Sequence, residues 1–93
     1  MPSTHDYTND PRNENIRIYL NGKFYPRAKA SVSVMDSGFL LGDGVWEGIR
    51  LYKNTLIHLK DHLNRLYQGA ESIDLKMPFS KDALKIEILK TIQ

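Results

Sequence analysis

Hydrophobic periodicity changes once along this chain of 93 residues, and the change restricts the folds open to it. Up to about His58, apolar residues alternate over short stretches that turn residues interrupt, which is typical of strands. From Leu59 onward they recur at the three- and four-residue spacing of helices. Strands followed by helices predict an α+β fold, with a mainly antiparallel sheet and two flanking helices.

The predicted sheet begins with a hairpin. Ile16–Leu20 alternates apolar and mixed residues, and Asn21-Gly22 is the strongest short hairpin signal. Lys23–Tyr25 is then the return strand, which Pro26 ends.

A second strand pair follows a glycine-rich loop. Asp36-Ser37-Gly38 and Gly42-Asp43-Gly44 place Phe39–Leu41 within that loop. The pattern then predicts strands at Val45–Tyr52 and Thr55–His58, joined by a two-residue turn. We therefore expect one antiparallel sheet from about residue 16 to residue 58.

Two helices complete the predicted fold. The first spans about Leu59–Ser72, and the second spans Ser80–Gln93, with Ser80 as its N-cap. Because the second pattern reaches Gln93 without a Gly, a Pro or a cap, we expect the chain to be part of a longer protein. The residues expected on the inner faces are Leu59, Leu63, Leu66, Tyr67, Ala70 and Ile73 in the first helix and Leu84, Ile88 and Ile92 in the second.

Composition excludes several classes of site. The chain has no cysteine, and its three histidines lack metal-ligand spacing, so we predict neither a disulfide nor a metal centre. A net charge of +2 without clustered Lys and Arg gives little support for nucleic-acid binding. No apolar run approaches the roughly 18 residues of a membrane span.

The first 15 residues form a separate region. Residues 1–15 are polar throughout, so they resemble neither a signal peptide nor a segment that can bury apolar surface. We predict a disordered polar arm at residues 1–15, one small domain at residues 16–93, and a cytoplasmic protein.

The segment Gly42–Arg50 has the composition of a pocket wall. On a strand, Trp46, Gly48 and Arg50 would share one face, where an aromatic ring and a cation flank a gap. Such a face could contact a ligand, with Arg50 pairing with a carboxylate or phosphate. It could equally be a half-exposed edge strand.

Two charged residues remain ambiguous on pattern alone. Glu47 falls on the apolar face of the same predicted strand, where an internal ion pair or backbone hydrogen bonds are the favoured interpretation. Arg65 lies about 130° from the apolar stripe of the first helix, with His62 on the same flank. Arg65 could be a solvated surface residue, or it could face a cleft and hold a phosphate.

Several segments in register resemble a known family. The chain is similar to the N-terminal small domain of class IV aminotransferases, the fold-type IV pyridoxal-phosphate enzymes. That family includes branched-chain amino-acid aminotransferases, D-amino-acid aminotransferases and aminodeoxychorismate lyases. The segments that carry the resemblance are Ile18–Gly22, Val32–Phe39, Gly42–Arg50 and His62–Leu66.

The resemblance implies roles for individual residues. Arg65 matches the arginine that holds the phosphate of pyridoxal 5′-phosphate. Trp46, Gly48 and Arg50 match the substrate side of the pocket, and Leu41 falls where branched-chain enzymes tend to carry Tyr. Because Gly42–Gly44 is similar to the D-amino-acid enzymes and Gly48–Arg50 to the branched-chain group, substrate and stereochemistry stay open.

The resemblance also limits the expected activity. The lysine that binds the cofactor covalently, and the carboxylate that pairs with its ring nitrogen, belong to a C-terminal domain that this chain lacks. We therefore assign no catalytic residue and expect the 93 residues alone to be inactive. A full-length form would transfer an amino group between an amino acid and a 2-oxo acid, as a homodimer. The alternatives are β-elimination of the aminodeoxychorismate lyase type and a non-catalytic binding or assembly domain.

Overall fold

The computed structural model describes residues 10–92. Within that part, four strands form two antiparallel pairs and three α-helices follow or interrupt them, which confirms the predicted α+β class. By its contacts the chain divides into two compact units, one that comprises the residues up to Val32 together with Thr91–Gln93, and the other running from Ser33 to Lys90. Residues 1–9 of the predicted polar arm lie outside the described residues.

The first unit contains the predicted hairpin. Strands β1 (Arg17–Leu20) and β2 (Lys23–Pro26) pair antiparallel around Asn21-Gly22. Both turn residues have positive φ, at 51° and 88°, as a two-residue hairpin turn requires. The cross-strand pair Tyr19 and Phe24 makes an edge-to-face contact with ring centroids 5.3 Å apart. Asn-Gly was therefore a sufficient signal for both the turn and the register.

The residues that precede this hairpin include a short ordered stretch. Pro11–Asn13 forms a 3-10 helix, and the Asp10 carboxylate accepts a hydrogen bond from the backbone N–H of Arg12. The Arg12 side chain also pairs with Asp10 at 2.6 Å. Disorder of the whole arm over residues 1–15 stays a prediction.

The predicted loop at Phe39–Leu41 is wrong, because these residues belong to a helix. Helix α1 (Ser37–Leu41) begins where the Asp36 carboxylate accepts a hydrogen bond from the backbone N–H of Phe39. It ends at Gly42, whose φ of 68° permits the left-handed C-cap. Cap chemistry is local, and a capped segment of five residues is too short to show helical periodicity.

The predicted strand Val45–Tyr52 is also wrong over most of its length. Only β3 (Leu51–Tyr52) pairs, with β4 (Thr55–Leu56), around a turn whose two residues have positive φ. One further backbone hydrogen bond, from Ile57 N–H to the Arg50 carbonyl, extends this pair. The two pairs form separate two-stranded sheets in the described part of the chain, so the single sheet that we predicted is wrong too.

The two predicted helices are confirmed, although Gln93, the predicted end of the second helix, lies outside the described residues. Helix α2 (Leu59–Ser72) buries Leu63 and Ala70, two members of its predicted inner stripe. Helix α3 (Lys81–Thr91) begins after Ser80, whose hydroxyl accepts a hydrogen bond from the backbone N–H of Ala83. Within the second unit, the Tyr67 hydroxyl donates to the Phe79 carbonyl at 2.6 Å and ties α2 to the connection before α3.

Candidate functional site

The segment from Gly44 to Arg50 packs along α2 without becoming a strand. A Cβ placed at Gly69 would lie 3.3 Å from Val45 Cγ1, so the Val45 side chain rests on the helix at that glycine. Two residues further along the segment, Glu47 contacts Arg65, which is four residues earlier in the helix. The spacings match, because two extended residues and four helical residues each advance about 6 Å.

Exposure along this segment alternates with a period of two. Val45, Glu47 and Ile49 are half-buried, whereas Trp46, Gly48 and Arg50 are exposed. The prediction that these two sets occupy opposite faces is therefore confirmed, although α2 rather than a neighbouring strand covers the inner face. Alternation in sequence reports burial on one side and does not identify the element that provides it.

Glu47 forms the centre of a charged cluster. Its carboxylate accepts two hydrogen bonds from Arg65, from Nε at 2.9 Å and from Nη2 at 2.6 Å. His62 Nδ1 lies 2.5 Å from the same Oε1 that Arg65 Nη2 contacts. The Glu47 side chain is only 12% exposed and that of Arg65 is 66% exposed. The favoured interpretation of Glu47, an internal ion pair, is confirmed.

The cluster determines which nitrogen of His62 carries a proton. An ionised carboxylate can only accept hydrogen bonds, so His62 Nδ1 must be the donor to Glu47. Arg65 Nη2 lies 3.3 Å from the same Nδ1, but two donors cannot bond to each other. His62 and Arg65 therefore share one carboxylate oxygen as neighbouring donors.

The hydrogen bonds shift the acid–base equilibria of the pair. The Arg65 guanidinium, and to a smaller extent the His62 ring, hold the pKa of Glu47 at about 2 rather than at 4.5. The Glu47 carboxylate in turn raises the pKa of the Arg65 guanidinium. Glu47 is thus an anion throughout the neutral range, and it balances the charge of Arg65.

Arg65 keeps one donor edge available. Glu47 occupies the edge formed by Nε and Nη2. Among residues 10–92, Nη1 donates to no protein group, and the side chain remains largely exposed. A guanidinium held on one edge by a carboxylate can offer the other to a second anion. This arrangement is compatible with a phosphate-binding arginine.

Three of the four predicted substrate-side residues, Trp46, Gly48 and Arg50, lie on the exposed face of the segment Gly44–Arg50. Trp46 is 83% exposed and folds over Gly48, where a Cβ would lie 3.5 Å from Trp46 Cζ3. The Arg50 guanidinium lies 5.2 Å from the centroid of the Tyr52 ring. Leu41 is exposed at the end of α1. Whether these four residues contact a substrate stays a prediction.

A cleft of the second unit lies elsewhere. Its volume is about 600 Å³, and it lies between the C-terminal half of α2, residues 73–77 and the start of α3. Tyr67, Lys76 and Lys81 line it, and no predicted site residue does. Lys81 is already bonded to the Asn64 side chain at 3.0 Å. We therefore base the candidate site on the Glu47 cluster and not on cavity size.

Comparison with known proteins identifies the family. The chain is 45% identical over 78 residues to a protein of Methanocaldococcus jannaschii provisionally named a branched-chain-amino-acid aminotransferase. It is 36% identical over 77 residues to a D-alanine aminotransferase of Listeria innocua. The chain belongs to the class IV aminotransferases. A third relative, the branched-chain-amino-acid aminotransferase-like protein 1 of Arabidopsis thaliana, is 34% identical over 82 residues.

These matches cover most of this chain but a small part of each relative. They include 84%, 83% and 88% of the chain and 27%, 27% and 15% of the three relatives, respectively. The chain thus spans about a quarter of the length of the first two relatives. No protein-family model matches it. The described part of the chain contains no helix with the length and apolar character of a membrane span.

Proposed function

We propose that this chain is part of a pyridoxal-phosphate-dependent aminotransferase that transfers an amino group between an amino acid and a 2-oxo acid. Family membership supports the reaction class. The observation that carries the proposal is the geometry of Arg65, whose guanidinium is held by Glu47 on one edge and is accessible on the other. An arginine presented in this way suits the phosphate of the cofactor.

Arg65 would hold the phosphate through Nη1 and the remaining N–H of Nη2. Its planar fork can donate two parallel hydrogen bonds, which a lysine ammonium cannot do. When bound, the pyridoxal ring supplies the electron-accepting group through which the amino group is transferred. The residues of this chain contribute binding and orientation, because no lysine of the chain matches the one that binds the cofactor.

The exposed face beside the cluster suits the substrate side. Trp46 offers an aromatic surface over Gly48, and Arg50 offers a cation near the Tyr52 ring. In our proposal Leu41 also lines this side, where its apolar side chain favours an aliphatic substrate group. Branched-chain and D-amino acids both remain candidate donors. We further infer that the full-length form is a cytoplasmic homodimer.

The test of the cofactor site uses a full-length form and the variants Arg65→Ala and Arg65→Lys. Loss of a charged hydrogen-bonding partner should weaken pyridoxal 5′-phosphate binding by about 1–3 kcal/mol in Arg65→Ala. Arg65→Lys should recover part of this loss because it restores the charge without the fork. Equal affinity in all three proteins would refute the assignment.

The reaction class is tested with the same full-length protein. Branched-chain and D-amino acids are offered as donors with a 2-oxo acid as acceptor, and the amino acid formed is measured. Amino transfer supports the proposal. Release of pyruvate from aminodeoxychorismate without an acceptor would instead identify a lyase. A protein that binds no cofactor when it is supplied would indicate a binding or assembly domain.

A further inference from the structure

The contacts of Arg65 point to a role for a second residue, Glu47. Arg65 has a long side chain that is 66% exposed, and such a side chain normally samples several rotamers. Two hydrogen bonds to one carboxylate fix both the position and the plane of the guanidinium. The carboxylate is itself fixed, because Glu47 is 12% exposed and also accepts from His62.

The backbone segments that carry Glu47 and Arg65 are fixed as well. Glu47 lies on the segment that packs against α2 through Val45 and Gly69. Arg65 and His62 lie one turn apart on α2, so both reach the same carboxylate from a regular helix. Orientation of the guanidinium therefore results from tertiary packing and not from the helix alone.

We propose that Glu47 is a positioning residue that orients Arg65 so that its Nη1 edge receives a phosphate group. This inference rests on the proposed phosphate-binding role of Arg65 and adds a reason for its geometry. Because the Arg65 side chain is already ordered before the anion binds, binding does not have to include the entropy loss of ordering it. For one flexible side chain this entropy loss corresponds to about a two- to tenfold change in affinity.

Glu47 affects the affinity of Arg65 for phosphate in two opposite ways. Its negative charge repels phosphate and lowers the affinity, whereas its hydrogen bonds orient the guanidinium and raise the affinity. Glu47→Asp separates them, because it keeps the charge and withdraws the carboxylate by about 1.5 Å, one carbon–carbon bond. The two contacts of 2.9 and 2.6 Å to Arg65 cannot both be kept after that withdrawal.

The experiment uses the 93-residue chain and inorganic phosphate as the probe. The Nε–Hε signal of Arg65 is followed by NMR at neutral pH and constant ionic strength while phosphate replaces chloride. In the unmodified chain we expect one slowly exchanging Hε signal that shifts on titration. In Glu47→Asp we expect faster Hε exchange and phosphate affinity about two- to tenfold lower.

A matched control is available on α3. Glu87→Asp makes the same substitution in an ion pair with Lys90, away from the Glu47 cluster. It should leave both the Arg65 signal and the phosphate affinity unchanged. A structural defect spread over the unit would instead also shift amide signals far from residue 47, which the same spectra report.

The outcomes distinguish this inference from the proposed function. If phosphate shifts the Arg65 signal with equal affinity in the unmodified chain and in Glu47→Asp, the positioning role is overturned while the anion role of Arg65 stands. If phosphate does not shift the Arg65 signal in the unmodified chain, the proposal that the Nη1 edge of Arg65 binds phosphate is refuted. The positioning role of Glu47 is then refuted as well.

Discussion

At the scale of single residues, Glu47 is the most informative side chain. Alternation in the sequence placed it on a covered face, and its burial required a partner. The structure supplies two partners from α2, Arg65 and His62. Arg65 is at once an exposed residue and a residue held in one orientation by Glu47. Its phosphate-binding role stays a prediction.

The lowered pKa of Glu47 predicts a specific pH dependence of stability. Because its pKa falls from 4.5 to about 2 on folding, its stabilising contribution is complete above pH 4.5 and is lost as the pH approaches 2. The free energy of unfolding of the unmodified chain should therefore exceed that of Glu47→Gln above pH 4.5. This difference should shrink toward pH 2 in urea titrations.

The comparison with Glu47→Gln isolates this group. Asp10 also has a pKa of about 2, because of Arg12, and titrates over the same range in both proteins. Its contribution cancels in the difference. A difference in unfolding free energy that stays constant between pH 4.5 and pH 2 would show that the Glu47 pair does not stabilise the folded chain.

At the scale of elements, the segment Gly44–Arg50 depends on α2 rather than on a sheet. Gly69 provides the space in which Val45 packs. Replacing glycine by alanine within a helix normally adds about 1 kcal/mol of stability through helix propensity. At Gly69 the new methyl group would lie 3.3 Å from Val45 Cγ1, which is tighter than an ordinary contact.

We therefore expect Gly69→Ala to stabilise the chain by less than this full amount. In a Val45→Ala background the crowding is relieved, and the full gain of about 1 kcal/mol should appear. Urea unfolding of the unmodified chain, the two single variants and the double variant gives the coupling free energy between residues 45 and 69. An identical effect of Gly69→Ala in both backgrounds would mean that the segment does not rest on α2.

The start of α3 allows a second test at this scale. Ser80 caps the helix through its hydroxyl, which accepts from the N–H of Ala83 at 3.1 Å. Ser80→Ala should lower the unfolding free energy by about 1 kcal/mol, and Ser80→Asp should preserve it. Circular dichroism during thermal unfolding measures both. Equal stability of all three proteins would indicate that the cap contributes nothing.

At the scale of the whole molecule, exposed apolar surface is the main feature. Within the second unit, several large apolar side chains are more than half exposed, namely Val34, Met35, Phe39, Leu40, Leu41, Trp46 and Ile86. Contiguous exposed apolar surface of this kind is typical of a face that binds a partner.

Trp46 is the chain's one tryptophan and reports on this surface directly. Because its side chain is 83% exposed, its fluorescence in the 93-residue chain should resemble that of a solvated indole and be quenched readily by acrylamide. In a full-length form we expect a shift to shorter wavelength and weaker quenching. Strong shielding in the short chain, unchanged on dilution, would contradict the exposure described here.

Local chemistry and periodicity in the sequence determined much of this protein. They determined the Asn21-Gly22 hairpin, α2, the Ser80 cap of α3 and the α+β class, because each depends on neighbouring residues or on one repeated spacing. The burial of one face of Val45–Arg50, and an ion pair or backbone hydrogen bonds for Glu47, were predictable for the same reason. The family of aminotransferases was recognisable from motifs in order.

Tertiary structure alone decided what covers each face and which charges meet. The segment before Leu51 alternates like a strand, but a helix covers its inner face, and a pattern of burial is the same for either neighbour. Arg65 and Glu47 are 18 residues apart, and no local rule selects the partner of a half-buried carboxylate. Their meeting depends on Val45 packing at Gly69, which brings the segment and α2 into register.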